Sequence, residues 1–297
     1  MSISSLIHPE PTAPGQTWMR VTPRGIERPQ PSWAERRAGL RANAMRVARI
    51  TRGELKATYF GRSLGWLWLL LEPLLMSLVY WFLTAVVFDI GGEAGTQRFL
   101  TILVEIVFWV WFYRAVGNAC VLITGYASLL RDTDLSVNLL LAVTLCKDFV
   151  VMLMNLVVTM AFLVIFRHIW FGAAIFAFPL VLLAQVLVMV PFIMVLAVLG
   201  TFVKDLNAIL GQVLPLLWYL SPALFPTAVA QQRMGAYAWV LKLNPLYWIL
   251  PPYQQIFIEY RCPALTPLLV VIGVALVLNL VGLALFRRAR YYYYAFL

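Results

Sequence analysis

The sequence predicts an all-α integral membrane protein with six transmembrane helices, and three observations predict it. Of its 297 residues, 62% are hydrophobic and 12% charged, with a mean hydropathy of +0.84; a soluble domain runs nearer 45–50% apolar and about 25% charged. The apolar residues gather into runs close to the ~20 residues that a spanning helix needs, separated by polar turns. Lys and Arg divide unevenly between the two sides of those runs. Roughly 17 fall with the termini, the first internal loop and Lys204, against about 5 on the other face, so the positive-inside rule places both termini in the cytoplasm.

Several functional classes are excluded early. Cys120, Cys146 and Cys262 sit in no ligand spacing and His8 and His168 lie far apart, so neither a disulfide framework nor a metal site is indicated. No G-x-x-x-x-G-K-[ST] loop occurs, so ATP-driven work would need a partner to bring the motor.

Residues 1–31 carry Pro9, Pro11, Pro14, Pro23, Pro29 and Pro31 and no sustained apolar period, which reads as a disordered cytoplasmic tail. The stretch lacks the apolar core of a signal peptide, so cleavage is not expected. From Ser32 to 62 the pattern changes to arginines interleaved with Trp33, Leu40, Ala44, Val47, Ile50, Leu55 and Tyr59, opened by Ser32 and Glu35 as a capping box. A basic amphipathic helix lying on an anionic membrane surface fits this pattern. Nucleic-acid binding is the rival reading of a +10 chain, and it is set aside because the segment abuts a membrane span.

Residues 63–286 hold the six spans. Ser63 to Phe88 opens GRSLGWLWLLLEPLL and carries Glu72-Pro73; a polar turn from Asp89 to Arg98 leads to the second span, Phe99 to Ile123, with Glu105 and Arg114. Ionisable groups at such depth cost several kcal/mol unless paired or wet. Glu105 and Arg114 are nine residues apart and so on opposite faces of one helix, whereas Glu72 and Arg114 come to similar depth on antiparallel neighbours. A buried Glu72–Arg114 ion pair acting as a structural clamp is expected, the sharper alternative being a place on a substrate path.

Gly125 to Asn138 is short, amphipathic and charged, a solvated loop or a docking helix for a soluble partner. Leu139 to Phe166, with Lys147, Asp148 and Asn155, is the third span, and Ala173 to Gly200, with Pro179 and Pro191, the fourth. Thr201 to Pro226 starts at Lys204-Asp205, meets Pro215, and ends in Ser221-Pro222 and Phe225-Pro226. A proline removes a backbone donor that lipid cannot replace, so this fifth span reads as a helix interrupted at Pro215. Thr227 to Thr266 is too broken to cross and too aromatic for an ordinary loop, with Trp239, Tyr247, Trp248, Tyr253, Phe257 and Tyr260; short interfacial or re-entrant helices are expected. Pro267 to Phe286 is the sixth span, and 287–297, RRARYYYYAFL, a cytoplasmic tail.

GRSLGWLWLLLEPLL, FVKDLNAILGQVLPLLWYLSPALFP and LNPLYWILPPYQQIF, in this order and spacing, resemble the membrane subunit of bacterial ABC exporters of cell-surface polysaccharides, a family that spans O-antigen, teichoic-acid and capsule exporters. The likeness runs from about Leu55 to Phe286. The proline-rich tail is longer than usual for that family, and Val203-Lys204 stands where phenylalanine and arginine are commoner.

The resemblance implies a permease, not an enzyme: a homodimer in the inner (plasma) membrane bound to two ABC ATPase subunits, which hold the ATP and Mg, and moving a lipid-linked glycan such as O-antigen or capsule. It makes the segment from Ser32 the interfacial helix and about 126–138 the coupling helix, with Tyr126, Leu130, Arg131, Asp132 and Asp134 on the ATPase. It makes about 227–266 an external gate bearing Trp239, Tyr247, Trp248 and Tyr253. It lines a channel with the first and fifth spans, where Tyr80, Trp81, Phe82, Trp218, Tyr219 and Phe225 are candidates for a ring belt over which a sugar polymer slides, since weak successive sites favour passage over trapping. Teichoic-acid export, export of another lipid or drug on the same scaffold, and a membrane enzyme using Asp132-Thr133-Asp134 on lipid-linked sugars are the alternatives.

Overall fold

The computed structural model describes residues 20–22, 25–27, 33–60, 64–65, 67–88, 95–132, 136–167, 172–224, 232 and 234–296. These fall into two units, Met1–Arg46 and Val47–Leu297. In the first, strands β1 (Arg20–Thr22) and β2 (Gly25–Glu27) pair antiparallel with Val21 opposite Ile26. This short ribbon is an addition to the all-helical reading and falls inside the stretch read as a structureless tail. Helix α1 (Trp33–Phe60) begins in this unit with Leu40 and Met45 exposed.

Every regular element described in the second unit is a helix. Helix α2 (Leu67–Trp81) continues into a π-helical turn, Phe82–Val87. Helix α3 (Gly95–Gly117) passes through a tight turn, Asn118–Val121, into α4 (Leu122–Gly125), and α5 (Ala127–Asp132) follows. Then come α6 (Val137–Arg167), α7 (Phe178–Phe202), α8 (Leu206–Tyr219), α9 (Trp239–Lys242), α10 (Leu246–Phe257) and α11 (Leu265–Phe296). Four stretches are long and apolar enough to cross a bilayer: Gly95–Gly125, Val137–Phe166, Ala173–Phe202 and Leu265–Ala289. Leu71–Val87 and Leu206–Tyr219, at the expected first and fifth spans, are apolar but shorter.

Helix α3 is the axis of the bundle. Every residue from 100 to 112 is buried, and α2, α6, α7, α8 and α10 all pack on it. A helix apolar all round must be surrounded to be specified as a core. Helix α10 reaches that core with Leu246, Ile249, Leu250, Tyr253 and Ile256, spaced as one helical face. Helix α7 crosses the turn after α3 at such close range that a Cβ on Gly200 would lie 1.8 Å from the Cys120 carbonyl oxygen; a glycine lets the two backbones touch. On its other side α7 carries α11, with Asn279 Nδ2 donating to Leu187 O at 2.6 Å and Gly282 close to Pro191.

Two expectations are corrected here. Arg98 is not in a polar turn: α3 starts at Gly95 and Arg98 is 3% exposed, because its guanidinium has carbonyls to satisfy inside the protein. The fifth span is not interrupted at Pro215. Helix α8 runs through it and ends at Tyr219, so the break falls at Leu220 to Leu224, where Ser221 and Pro222 begin a turn.

Candidate functional site

Two groups of side chains stand out, one at each end of α3. Around the last turn of α3, Arg114 Nη2 forms an ion pair with Glu72 Oε2 of α2, and Arg114 Nη1 donates to Tyr59 Oη of α1 at 3.1 Å. The pair is only partly buried, with side-chain exposures of 22% and 33%. Lys147 of α6 reaches Glu54 of α1 at 3.8 Å. Asp148, buried on α6, faces Arg114 and Lys147 electrostatically. Tyr126, between α4 and α5, faces the Glu54 carboxylate; burial first and that carboxylate second push its hydroxyl well above the usual tyrosine range, so it stays protonated as a donor.

These contacts join five elements through side-chain polar atoms: the segment of Tyr126, α1, α6, α3 and α2. Glu72 and Arg114 meet because α2 packs antiparallel on α3, which brings the first half of α2 beside the last turn of α3. The contribution of Tyr59, Glu54 and Lys147 was not apparent from the sequence; the i, i+5 spacing of Glu54 and Tyr59 on a basic helix carries no signal that both turn toward the bundle.

At the opposite end the problem is the broken end of α8, whose last carbonyls have no helical donor. Asn244 Nδ2 donates to Leu217 O at 2.6 Å and Leu220 O at 3.2 Å, and Arg98 Nη2 donates to Ala223 O at 3.2 Å and Leu224 O at 2.5 Å. Asn244 Oδ1 also accepts from Leu246 N at 3.0 Å, starting α10. The Asn-Pro of LNPLYW was the available signal, since Asn favours such local bonding.

Above this lies an aromatic seam between α2, α3 and α8. Tyr80 sits 5.6 Å from Trp218 and 6.3 Å, edge-on, from Tyr219; Trp218 stacks on Trp109 at 5.6 Å. Of the six belt candidates, Trp218 is buried in the core, Tyr80 is half-buried, and Tyr219 and Phe82 are exposed. Trp81 turns toward the start of α3, donating to Gly95 O at 2.6 Å and meeting Phe99 edge-on. Phe225 lies outside the described residues.

The gate candidates separate in the same way. Trp239 and Trp248 are exposed, and Tyr247 meets Trp248 edge-on at 5.1 Å. Tyr253 is wholly buried, stacked on Phe108 at 3.5 Å, with its hydroxyl donating to Gln185 Oε1 at 2.6 Å while Gln185 Nε2 donates to Phe108 O at 2.9 Å. It holds α10 to α3 and α7. In the coupling segment Leu130 is buried, Arg131 and Asp132 close α5, and Asp134 lies outside the described residues.

Helix α2 with its π-helical turn and helix α8 with the residue after it each carry an uncovered apolar face. Leu75, Val79, Phe82 and Val86 on one and Ile209, Val213, Leu216 and Leu220 on the other are all exposed and recur at helical spacing.

Comparison with known proteins adds three findings. Residues 46–258 match the ABC-2 type transporter family. The chain is 29% identical over 246 residues to the O-antigen export system permease protein RfbA of Myxococcus xanthus, covering 81% of this chain and 91% of that one. It is 22% and 21% identical to two proteins of the same description from Klebsiella pneumoniae, each match covering 82% of this chain and 91% of the relative.

Proposed function

Because the chain belongs to the ABC-2 type transporter family, a family of multi-pass transport components rather than catalysts, we propose that it is the membrane subunit of an ATP-driven exporter of O-antigen. The observation that carries this reading is its relationship, over 81% of its length, to a permease of O-antigen export. Two copies, each with six spans and both ends in the cytoplasm, work with two copies of an ABC ATPase and pass a lipid-linked glycan across the inner membrane. Helices α2 and α8 supply the fifth and sixth crossings of the bilayer beside the four long ones.

In this scheme the segment around α5 rests on the ATPase, α1 lies along the inner membrane surface, and α9 and α10 cover the outer mouth. The uncovered face of α2 and α8 is turned toward the second copy, with Tyr219 and Phe82 as the rings most open to a passing polymer. Movement enters at Tyr126, passes to α1 and α6 through Glu54 and Lys147, and reaches α2 through Arg114 and Glu72. Contacts between side chains suit this task, since long charged side chains exchange partners while helices slide.

Deletion of the gene tests the cargo. Loss of surface O-antigen with accumulation of finished lipid-linked polymer inside the cell is expected. Unchanged surface glycan, with another lipid or a drug retained instead, would assign the exporter a different cargo.

A further inference from the structure

A cavity of about 240 Å³ lies between α6, α7 and α11, walled by Leu141, Leu145, Ile193, Met194 and Leu283, with Asn138 as the polar residue on its lining. It is away from the seam of α2 and α8, and its depth can be read from the helices around it. Asn138 stands in the first turn of α6, and Leu145 lies seven residues on, so the cavity follows α6 inward for about 10 Å at 1.5 Å per residue. Helices α7 and α11 run parallel, as the contacts of Leu187 with Asn279 and of Pro191 with Gly282 require. Leu283 therefore lines the middle of the cavity, level with the α7 residues around Pro191, and Arg287 lies one turn farther along α11 on the same face, toward the end at Asn138. Arg287 and Asn138 are both exposed.

We propose that this groove is a binding site for an anionic glycerophospholipid of the surrounding leaflet, with one acyl chain in the cavity and the phosphate at Asn138 and Arg287. A largely apolar space facing hydrocarbon is filled by the hydrocarbon that surrounds it, since beyond Asn138 its walls offer water no polar partners. The side-chain amide of Asn138 offers a donor to a phosphate, and Arg287 supplies the charge that favours a net negative headgroup over a zwitterionic one. The groove takes one stretch of an acyl chain, the remainder lying in the surrounding hydrocarbon. The site is independent of the cargo the exporter carries.

The test uses the full chain with its ATPase, purified in detergent and followed by native mass spectrometry while phosphatidylglycerol or phosphatidylcholine is added. Phosphatidylglycerol should be retained about fivefold more tightly, the advantage one arginine confers near a membrane surface. Arg287→Gln should remove the preference and keep the weaker retention of both lipids. Ala142→Trp, which fills the cavity, should abolish retention, with Ala142→Leu as the gentler variant should the tryptophan chain misfold. Equal retention of the two lipids by the unaltered protein would overturn the proposal, as would displacement of phosphatidylglycerol by inorganic phosphate. Stronger retention of a polyprenyl phosphate than of phosphatidylglycerol would give the groove to the cargo lipid and equally defeat it.

Discussion

Two arginines sit near the two ends of α3. Arg114 is paired with the carboxylate of Glu72 and the hydroxyl of Tyr59, side chains of two other helices. Arg98 instead donates to the backbone carbonyls of Ala223 and Leu224, beyond the end of α8. Both solve the problem of a cation held within a membrane protein, with opposite mechanical consequences. A pair of side chains can lengthen, exchange partners or admit water while its helices move. Carbonyls of a broken helix have no alternative donor inside a membrane, so the bonds from Arg98 and Asn244 fix the C-terminal end of α8 in one place. One end of the bundle is built to yield and the other to hold.

That contrast breaks most readily at the held end. Trp218→Ala should cost about 3–5 kcal/mol as a large aromatic removed from a packed core, seen as a fall in detergent melting temperature. Its exposed neighbour offers the control: Tyr219→Ala should leave melting unchanged while slowing export. A large stability loss from the second substitution would erase the distinction between a buried and an open ring in the seam. Arg98→Ala follows at about 3 kcal/mol, two charge-assisted bonds at roughly 1.5 kcal/mol each, with protease cleavage appearing after Leu220. Melting unchanged by this substitution would show that the end of α8 is not held by Arg98.

At the yielding end the losses are smaller and the functional effects larger. Arg114→Glu or Glu72→Arg alone should cost about 1–3 kcal/mol, between the values for exposed and buried pairs because this one is partly buried, and should stop export. The double exchange should restore melting and at least half of the transport. A double variant that melts normally yet exports nothing would place the pair on the path of the cargo. Smallest in stability is Tyr126→Phe, within about 1 kcal/mol for a single hydrogen bond. Here the readout is ATPase stimulation by the assembled transporter, expected to fall severalfold; full stimulation would remove Tyr126 from the route into the membrane.

Much of this was legible beforehand because it depends on distance along the chain. Glu72 and Arg114 reach the same depth on neighbouring antiparallel helices, and depth is simply a count of residues. The aromatic residues before the last span were recognisable as short helices by their broken apolar pattern, and α9 and α10 lie there. Rotation about the helix was the harder matter. Trp218 and Tyr219 are adjacent and similar, yet one is enclosed and the other open, and Tyr253 stands among gate candidates although it is clamped in the core. Pro215 is a helix breaker by residue type, yet α8 runs through it and the turn at Ser221-Pro222 carries the break.

The amino-acid sequence alone determined that this is a multi-pass membrane protein, how long its apolar segments are, and which charges must find partners at which depth. Tertiary structure decided which segment is the centre. The most apolar 18 residues within Gly95–Gly125 have a mean hydropathy of 1.8 and are 83% buried, whereas those within Leu265–Ala289 reach 2.9 and are 17% buried. The order is the reverse of a soluble protein's because lipid tails are as apolar as leucine: hydropathy drives a helix into the bilayer without driving it into the bundle. The central place of α3 comes instead from Arg98, Arg114 and the close-fitting rings between them, which acquire their partners only when the other helices are assembled around it.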